Sequence, residues 1–264
     1  MCLILFAWHC HPQYPLLVAA NRDEFHARPT APVHFWRDYP HILAGRDLQE
    51  GGSWLGISTT GRFAALTNVR DPHAIKGALS RGCLVRDFLD STQSPEAFHR
   101  QLQQQLQLQP HAYSPFNLLM SDSKHFFYTN HRGDLQKMSP GIYALSNAGI
   151  DTPWPKAIQG KQALADALTR PLDFQQNQEK IFALLADKKI AADHELPDTG
   201  IGLTLERMLS ARFILSEEYG TRSSTLLSQS NASEIRFIER QFGAAGQIID
   251  TLHYAIDTGK HQHG

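Results

Sequence analysis

The sequence predicts an α+β fold in which antiparallel β-sheets are covered by α-helices. Strand-length apolar runs and helix-spaced stretches follow in the order strands, helices, strands, helices, strands. A doubly wound parallel sheet requires a strict alternation that this order lacks. Residues 54–58 with 62–67, and 222–229 with 234–241, read as two hairpins. The 264-residue chain is 42% hydrophobic and 19% charged, enough to bury the core of one layered domain spanning residues 1–264.

Residues 3–9 are an unbroken aliphatic and aromatic run, a buried strand beginning almost at the terminus. A turn from Pro12 to Pro15 leads into an antiparallel partner over residues 16–20, which ends in Asn21-Arg22-Asp23-Glu24. The Pro-rich stretch 27–41 reads as a long surface loop. Residues 42–44 form a short strand, and Gly51-Gly52 marks another loop. The first hairpin turns at Thr59-Thr60-Gly61. Residues 84–89 carry helical spacing of apolar residues. A helix over 95–108 opens with Ser94 and Pro95 in the N-cap and first-turn places, with Leu102 and Leu106 four apart. Residues 116–120, 125–129 and 142–146 read as strands; 154–168 and 174–185 read as helices with polar outer faces. Residues 203–214 are apolar and fit either element. The second hairpin turns at Ser230-Asn231-Ala232-Ser233, and residues 252–256 form a last strand. Internal repeats, low-complexity segments and linkers are not evident.

Composition narrows the function. A formal net charge of -1 gives no electrostatic reason to expect nucleic acid or an anionic membrane surface as partner. No stretch approaches the ~18 apolar residues of a membrane span. The apolar start, residues 3–8, is too short for a signal-peptide core and has no basic segment before it. Cys2, Cys10 and Cys83 are too few and too odd in number for a disulfide framework, so reduced thiols in a cytoplasmic compartment are expected.

Cys2 is the one candidate chemical centre. Removal of Met1 would place thiol and terminal amine on the same residue. An α-amine with a pKa of ~8 and a thiol of ~8.5 are matched closely enough for the amine to act as base. Such a device needs a rigid terminus, which a strand beginning at Leu3 supplies; a retained methionine would block it.

The surroundings of Cys2 carry a resemblance. Cys2-Leu3-Ile4-Leu5-Phe6, Ala19-Ala20-Asn21-Arg22-Asp23-Glu24-Phe25 and Arg28-Pro29 resemble the start of the NRDE-motif family, the transport and Golgi organisation protein two family. The likeness continues through Gly51-Gly52-Ser53-Trp54-Leu55-Gly56-Ile57 and Ala65-Leu66-Thr67-Asn68. It resumes at Leu145-Ser146-Asn147 with Pro153-Trp154-Pro155-Lys156, and at Tyr219-Gly220-Thr221-Arg222. These blocks span nearly the whole chain. The family in turn resembles the cysteine branch of the N-terminal-nucleophile hydrolases, which includes bile-salt hydrolases, penicillin V acylases and acid ceramidase. The resemblance implies a four-layer αββα sandwich.

That branch carries Arg-Asn-x-Asp after its second strand, where this chain reads Ala20-Asn21-Arg22-Asp23. Asp23 matches the carboxylate that orients the nucleophile's amine, but the arginine is replaced by Ala20. Arg22 is one strand step away from that place or on the opposite face. Thr67-Asn68 resembles the segment whose asparagine donates a backbone N–H to the oxyanion, and Ser146-Asn147 the pair whose side-chain amide completes that hole. Such donors are worth ~2.7–4 kcal/mol each in a barrier. Arg222 matches the arginine that closes the pocket. Asn21, Arg22 and Trp54 are expected to flank the substrate; Trp36 and Trp54 sit where they could wall a pocket, but aromatic core packing is the preferred account of both.

Other signals are weaker. On an extended strand His9 and His11 face one way and Cys10 the other, so one ion cannot readily take all three. His261 and His263 lie in a polar tail, and Cys83 reads as a small core residue. Neither a Walker loop nor a G-x-G-x-x-G or CxxCH motif occurs. Two functions follow. One is a hydrolase in which Cys2 attacks a linear amide or acyl group with no cofactor required. The other, implied by the family's association with intracellular haem trafficking and lipid or acyl-CoA homeostasis, is a non-catalytic carrier with a Cys or His as transient haem ligand. Ala20 favours the carrier; the intact set of Cys2, Asp23, Asn68 and Asn147 favours the hydrolase.

Overall fold

The computed structural model describes residues 2–168 and 174–261. In chain order the elements are β1 (Cys2–Trp8), β2 (Leu16–Phe25), β3 (Thr30–Phe35), β4 (Ile42–Asp47), β5 (Leu55–Ser58) and β6 (Phe63–Asn68). Helices α1 (Gly82–Asp90) and α2 (Pro95–Leu108) follow, then β7 (Phe116–Ser121), β8 (Phe126–Asn130), β9 (Leu135–Lys137) and β10 (Gly141–Leu145). The remainder comprises α3 (Pro155–Leu168), α4 (Phe174–Leu185), α5 (Leu203–Ser210), β11 (Tyr219–Gln229), β12 (Glu234–Phe242) and β13 (Ile248–Asp257). The result is two antiparallel sheets flanked by helices, consistent with an αββα sandwich. Among the described residues, no helix is long and apolar enough to cross a membrane.

Contacts gather into two compact units. The first takes the segment ending at Ala27, Arg70–Pro72 and Pro140–Ile256. Its six-stranded sheet has the order β10-β1-β2-β11-β12-β13. Strand β1 alternates faces: Leu3, Leu5 and Ala7 join Leu17 and Ala19 of β2 in a core with Ala157 and Leu164 of α3 and Ile181, Phe182 and Leu185 of α4. Cys2, Ile4 and Phe6 therefore face the other way. All seven residues of β1 are buried, so its sequence lacks the apolar–polar alternation of a half-exposed strand.

The second unit takes Arg28–Val69, His73–Ser139 and the chain from Asp257. Its seven strands lie in sequence order, β3-β4-β5-β6-β7-β8-β9, the arrangement that short hairpin connections produce. Val85, Phe88 and Leu89 of α1 and Phe98 and Leu102 of α2 cover Ile42, Ala64, Leu66, Leu118 and Met120. Helix α2 starts where its cap demands, with Ser94 Oγ accepting from Ala97 N at 3.2 Å and Pro95 in the first turn.

Several sequence expectations need correction. Strand β2 does not stop at Ala20 but runs to Phe25, because β11 pairs with it from Leu16 through Phe25. The stretch 27–41 is not all loop: it contains β3, an edge strand in which Pro32 sits at a break in register between Ala31 and His34. An edge position and a register break are where a strand tolerates a residue without an N–H. Strand β9 had no sequence signal; its three residues are all exposed. Residues 203–210 resolve as helix α5. His9 and His11 do not share a strand, since β1 ends at Trp8 and His9 turns to φ 48. His263 and Met1 lie outside the described residues.

Candidate active site around Cys2

Register places Cys2 at the end of β1 directly opposite Arg22 of β2, with Ile4 opposite Ala20. Arg22 thus shares a face with Cys2 and Ala20, one strand step beyond the position where the cysteine hydrolases carry arginine. On the other side β1 pairs with β10, Ile4 against Leu145. Ser146 Oγ joins the two segments by donating to the Cys2 carbonyl at 3.4 Å, and the Asn147 carbonyl accepts from Arg70 N at 2.7 Å. Ser223 of β11 continues the row beyond Arg22.

Asp23 points to the opposite, helix-covered face, while its backbone, next to the Cys2 thiol, favours the thiolate. One residue therefore acts on the sulfur through its backbone and places a carboxylate in the layer behind it. That carboxylate is fixed by Thr221, whose Oγ1 donates to Oδ1 at 2.7 Å. Tyr219 donates its hydroxyl to the Asp23 carbonyl at 2.9 Å. The register shift in β11 between Thr221 and Ser223 lets Thr221 pair with Asp23 while Ser223 pairs with Arg22.

Burial dominates the electrostatics. It pushes the Cys2 thiol up, with the Asp23 charge adding to the rise and Arg22 opposing it. It also pushes the Asp23 carboxyl up, against the pull of Lys156, Thr221 and Arg22. Tyr219 is raised well above the ordinary phenol, first by burial around its hydroxyl and then by the charges of Asp23 and Cys2. The resting thiol is accordingly protonated at neutral pH, and reaction needs a proton acceptor and a compensating positive charge.

Asn21, on the same face as Asp23, spends its side chain on the fold. Nδ2 donates to the carbonyls of Leu185 at 2.9 Å and Arg212 at 2.7 Å, and Oδ1 accepts from Ser224 Oγ at 2.6 Å. Arg222 holds the end of β2, donating from Nη1 to the carbonyls of Phe25 at 2.8 Å and His26 at 3.1 Å, within reach of the charges of Arg22 and Glu24. Cys2, Asn21, Arg22, Asp23, Asn147 and Arg222 all belong to the first unit. Asn68, which ends β6, and Trp54 belong to the second. There the Trp54 ring lies against Gly45, where an added Cβ would meet the ring at 2.2 Å.

Two residues at this site were not singled out as functional from the sequence. Thr221 lies inside a recognised block without a role attached. Lys156, the last residue of Pro153-Trp154-Pro155-Lys156, is buried at 2% exposure in the first turn of α3. A lysine embedded between prolines and alanine at a helix start was the available signal. Among the described residues no group of three or more His, Cys, Asp or Glu side chains is placed to hold a metal ion.

The fold has the architecture of the N-terminal-nucleophile-hydrolase type, with a cysteine at the head of its first strand. Among solved structures, a mutant of the conjugated bile acid hydrolase from Clostridium perfringens aligns with 98% of this chain and 93% of its own at a TM-score of 0.54 and 10% identity, a likeness of fold. The chain itself belongs to the Transport and Golgi organisation 2 family, whose profile matches residues 1–244. The Homo sapiens Transport and Golgi organization protein 2 homolog is 34% identical over 261 residues, 91% of this chain and 92% of that protein. The Drosophila melanogaster Transport and Golgi organization protein 2 is 28% identical over 268 residues, 90% and 91% of the two chains.

Proposed function

We propose that this protein carries out acyl chemistry at Cys2, attacking the carbonyl of a linear amide or related acyl compound. The observation that carries the reading is the junction of β1 and β2 at Cys2, which lies opposite Arg22 while the carboxylate of the adjacent Asp23 is held by Thr221. The cysteine sulfur forms a bond to the acyl carbon and the leaving amine takes the proton given up by the thiol. Water then cleaves the thioester, releasing the acid and restoring the thiol. With Met1 removed, the terminal amine relays that proton and Asp23 orients it. Asn147 serves as an oxyanion donor, Arg222 closes the pocket, and Arg22 flanks the acyl group. No cofactor is required.

A second reading is favoured by one observation: Ala20, buried opposite Ile4, supplies no charge where the cysteine hydrolases have arginine. On that reading the site is a cytoplasmic carrier pocket for haem or an acyl-CoA.

The test is to incubate the purified chain with a panel of N-acyl amino acids and acyl thioesters, quench in acid, and measure intact mass and released acid. The expected result is an acyl adduct mapped to Cys2 and absent from Cys2→Ala. If neither adduct nor released acid forms, while wild type and Cys2→Ala bind haem or acyl-CoA equally, the carrier reading replaces this one.

A further inference from the structure

We infer that Lys156 is a positioning residue of the Cys2 site: its buried ammonium at the start of α3 is the counter-charge of the Asp23 carboxylate and supports loss of the Cys2 proton. The inference rests on Cys2 being the reactive group.

Nothing in its own helix explains this lysine. The N-terminal end of a helix carries partial positive charge, so a cation in the first turn is placed against the macrodipole. Lys156 is 2% exposed, and its Nζ makes no hydrogen bond to any described residue. An ammonium taken out of water and left without hydrogen bonds is held only where other charges make up the loss.

Those charges are identifiable. Asp23 on β2 exerts the largest attraction on Lys156, Arg70 repels it, and Cys2 on β1 and Glu206 on α5 attract it. Arg70 is already hydrogen-bonded and ion-paired to Glu206, and its guanidinium lies 4.5 Å from the centre of the Trp154 ring. Glu206 offsets part of that repulsion, and Asp23 is the principal counter-charge of Lys156. Arg22 acts on Asp23 and Cys2 from the opposite face, and Tyr219 faces both. The absence of a charge at Ala20 is thereby met from behind the sheet by a residue remote in sequence.

Burial draws Lys156 down to about 8, so the group sits near its own charge change at physiological pH and responds to charges around it. In the chemical step the thiol proton passes to the base of the site; no proton leaves Lys156. Its contribution is the field of its protonated form near a forming thiolate, present below about pH 8 and lost as the ammonium deprotonates above it.

The experiment is the pH profile of iodoacetamide alkylation at Cys2, mapped by peptide mass, for wild type, Lys156→Met and Lys156→Arg. Alkylation follows the thiolate fraction. In Lys156→Met the rate at pH 7.5 is expected to fall about tenfold or more, the two profiles converging above about pH 8 as the wild-type ammonium deprotonates. Lys156→Arg, which keeps the charge, is expected to remain within about threefold of wild type at that pH. Superimposable profiles for wild type and folded Lys156→Met overturn the inference. If Lys156→Met does not fold, lysine Nζ NMR decides: in Asp23→Asn the low lysine midpoint near 8 should drop by about a unit or more, since its main attraction is gone. An unmoved midpoint overturns the inference. A wild-type Cys2 no more reactive than Cys10 and Cys83 tells against the acyl chemistry instead, and the NMR arm still judges the coupling of Lys156 to Asp23.

Discussion

Asn21 and Asp23 are two residues apart on one strand, share a face, and do different work. Asn21 binds the helix layer to the sheet through two carbonyls and a serine hydroxyl; Asp23 has its carboxylate among charged groups and its backbone beside a thiol. Asn21→Leu leaves the Leu185 and Arg212 carbonyls without this donor in a buried setting. Each unsatisfied group costs about 1–3 kcal/mol, so a loss of about 3 kcal/mol in urea-unfolding free energy is expected. A loss below about 1 kcal/mol would show that these bonds are replaced by others. At this scale the sequence was informative where chemistry rests on neighbours in the chain: Cys2 at the terminus and Asp23 in its motif were legible as candidates. Lys156 was not, because its attraction to Asp23 and Cys2 exists only once α3 packs behind β1. Thr221 was hidden for a similar reason, since its contact with Asp23 depends on the register shift in β11.

Elements were legible wherever a local rule fixed them. Helix α2 begins and ends where Ser94, Pro95 and the leucine spacing place it, and its cap bond is present. Ser94→Ala removes that bond at an exposed helix start and is expected to lower stability by about 1 kcal/mol without altering the unfolding slope. An unchanged urea midpoint would mean the helix start is held by packing alone. Elements whose strand character comes from their neighbours were read short or missed. The polar end of β2, Asn21 to Glu24, resembles a turn in sequence but is held in strand by β11. Proline concealed β3, and β9 is too short and exposed to carry an apolar pattern.

On the scale of the whole chain, the order of strands and helices was enough to reach two antiparallel sheets with helical cover, and the resemblance of the sequence blocks reached the family. The chain enters the first unit, leaves after Ala27, returns for Arg70–Pro72 and again from Pro140. Sequence order alone does not reveal that interleaving, because it arises from which strands pair. The residues linked to Cys2, directly or through Asp23 and Lys156, come from each of those returns: Arg22 and Asp23 from the first segment, Arg70 from the second, and Ser146, Lys156, Glu206 and Thr221 from the last. Acyl chemistry at Cys2 requires a reactive thiol, so the reactivity of that cysteine is the quantity to measure. Intact mass of the purified chain, followed by brief iodoacetamide treatment near neutral pH with peptide mapping, reads it directly. Loss of Met1 with alkylation of Cys2 ahead of Cys10 and Cys83 is the expected result, despite Cys2 being buried and Cys10 exposed. Retention of Met1, or a Cys2 that reacts no faster than the other two, would contradict a terminal cysteine nucleophile and leave the site to a bound ligand.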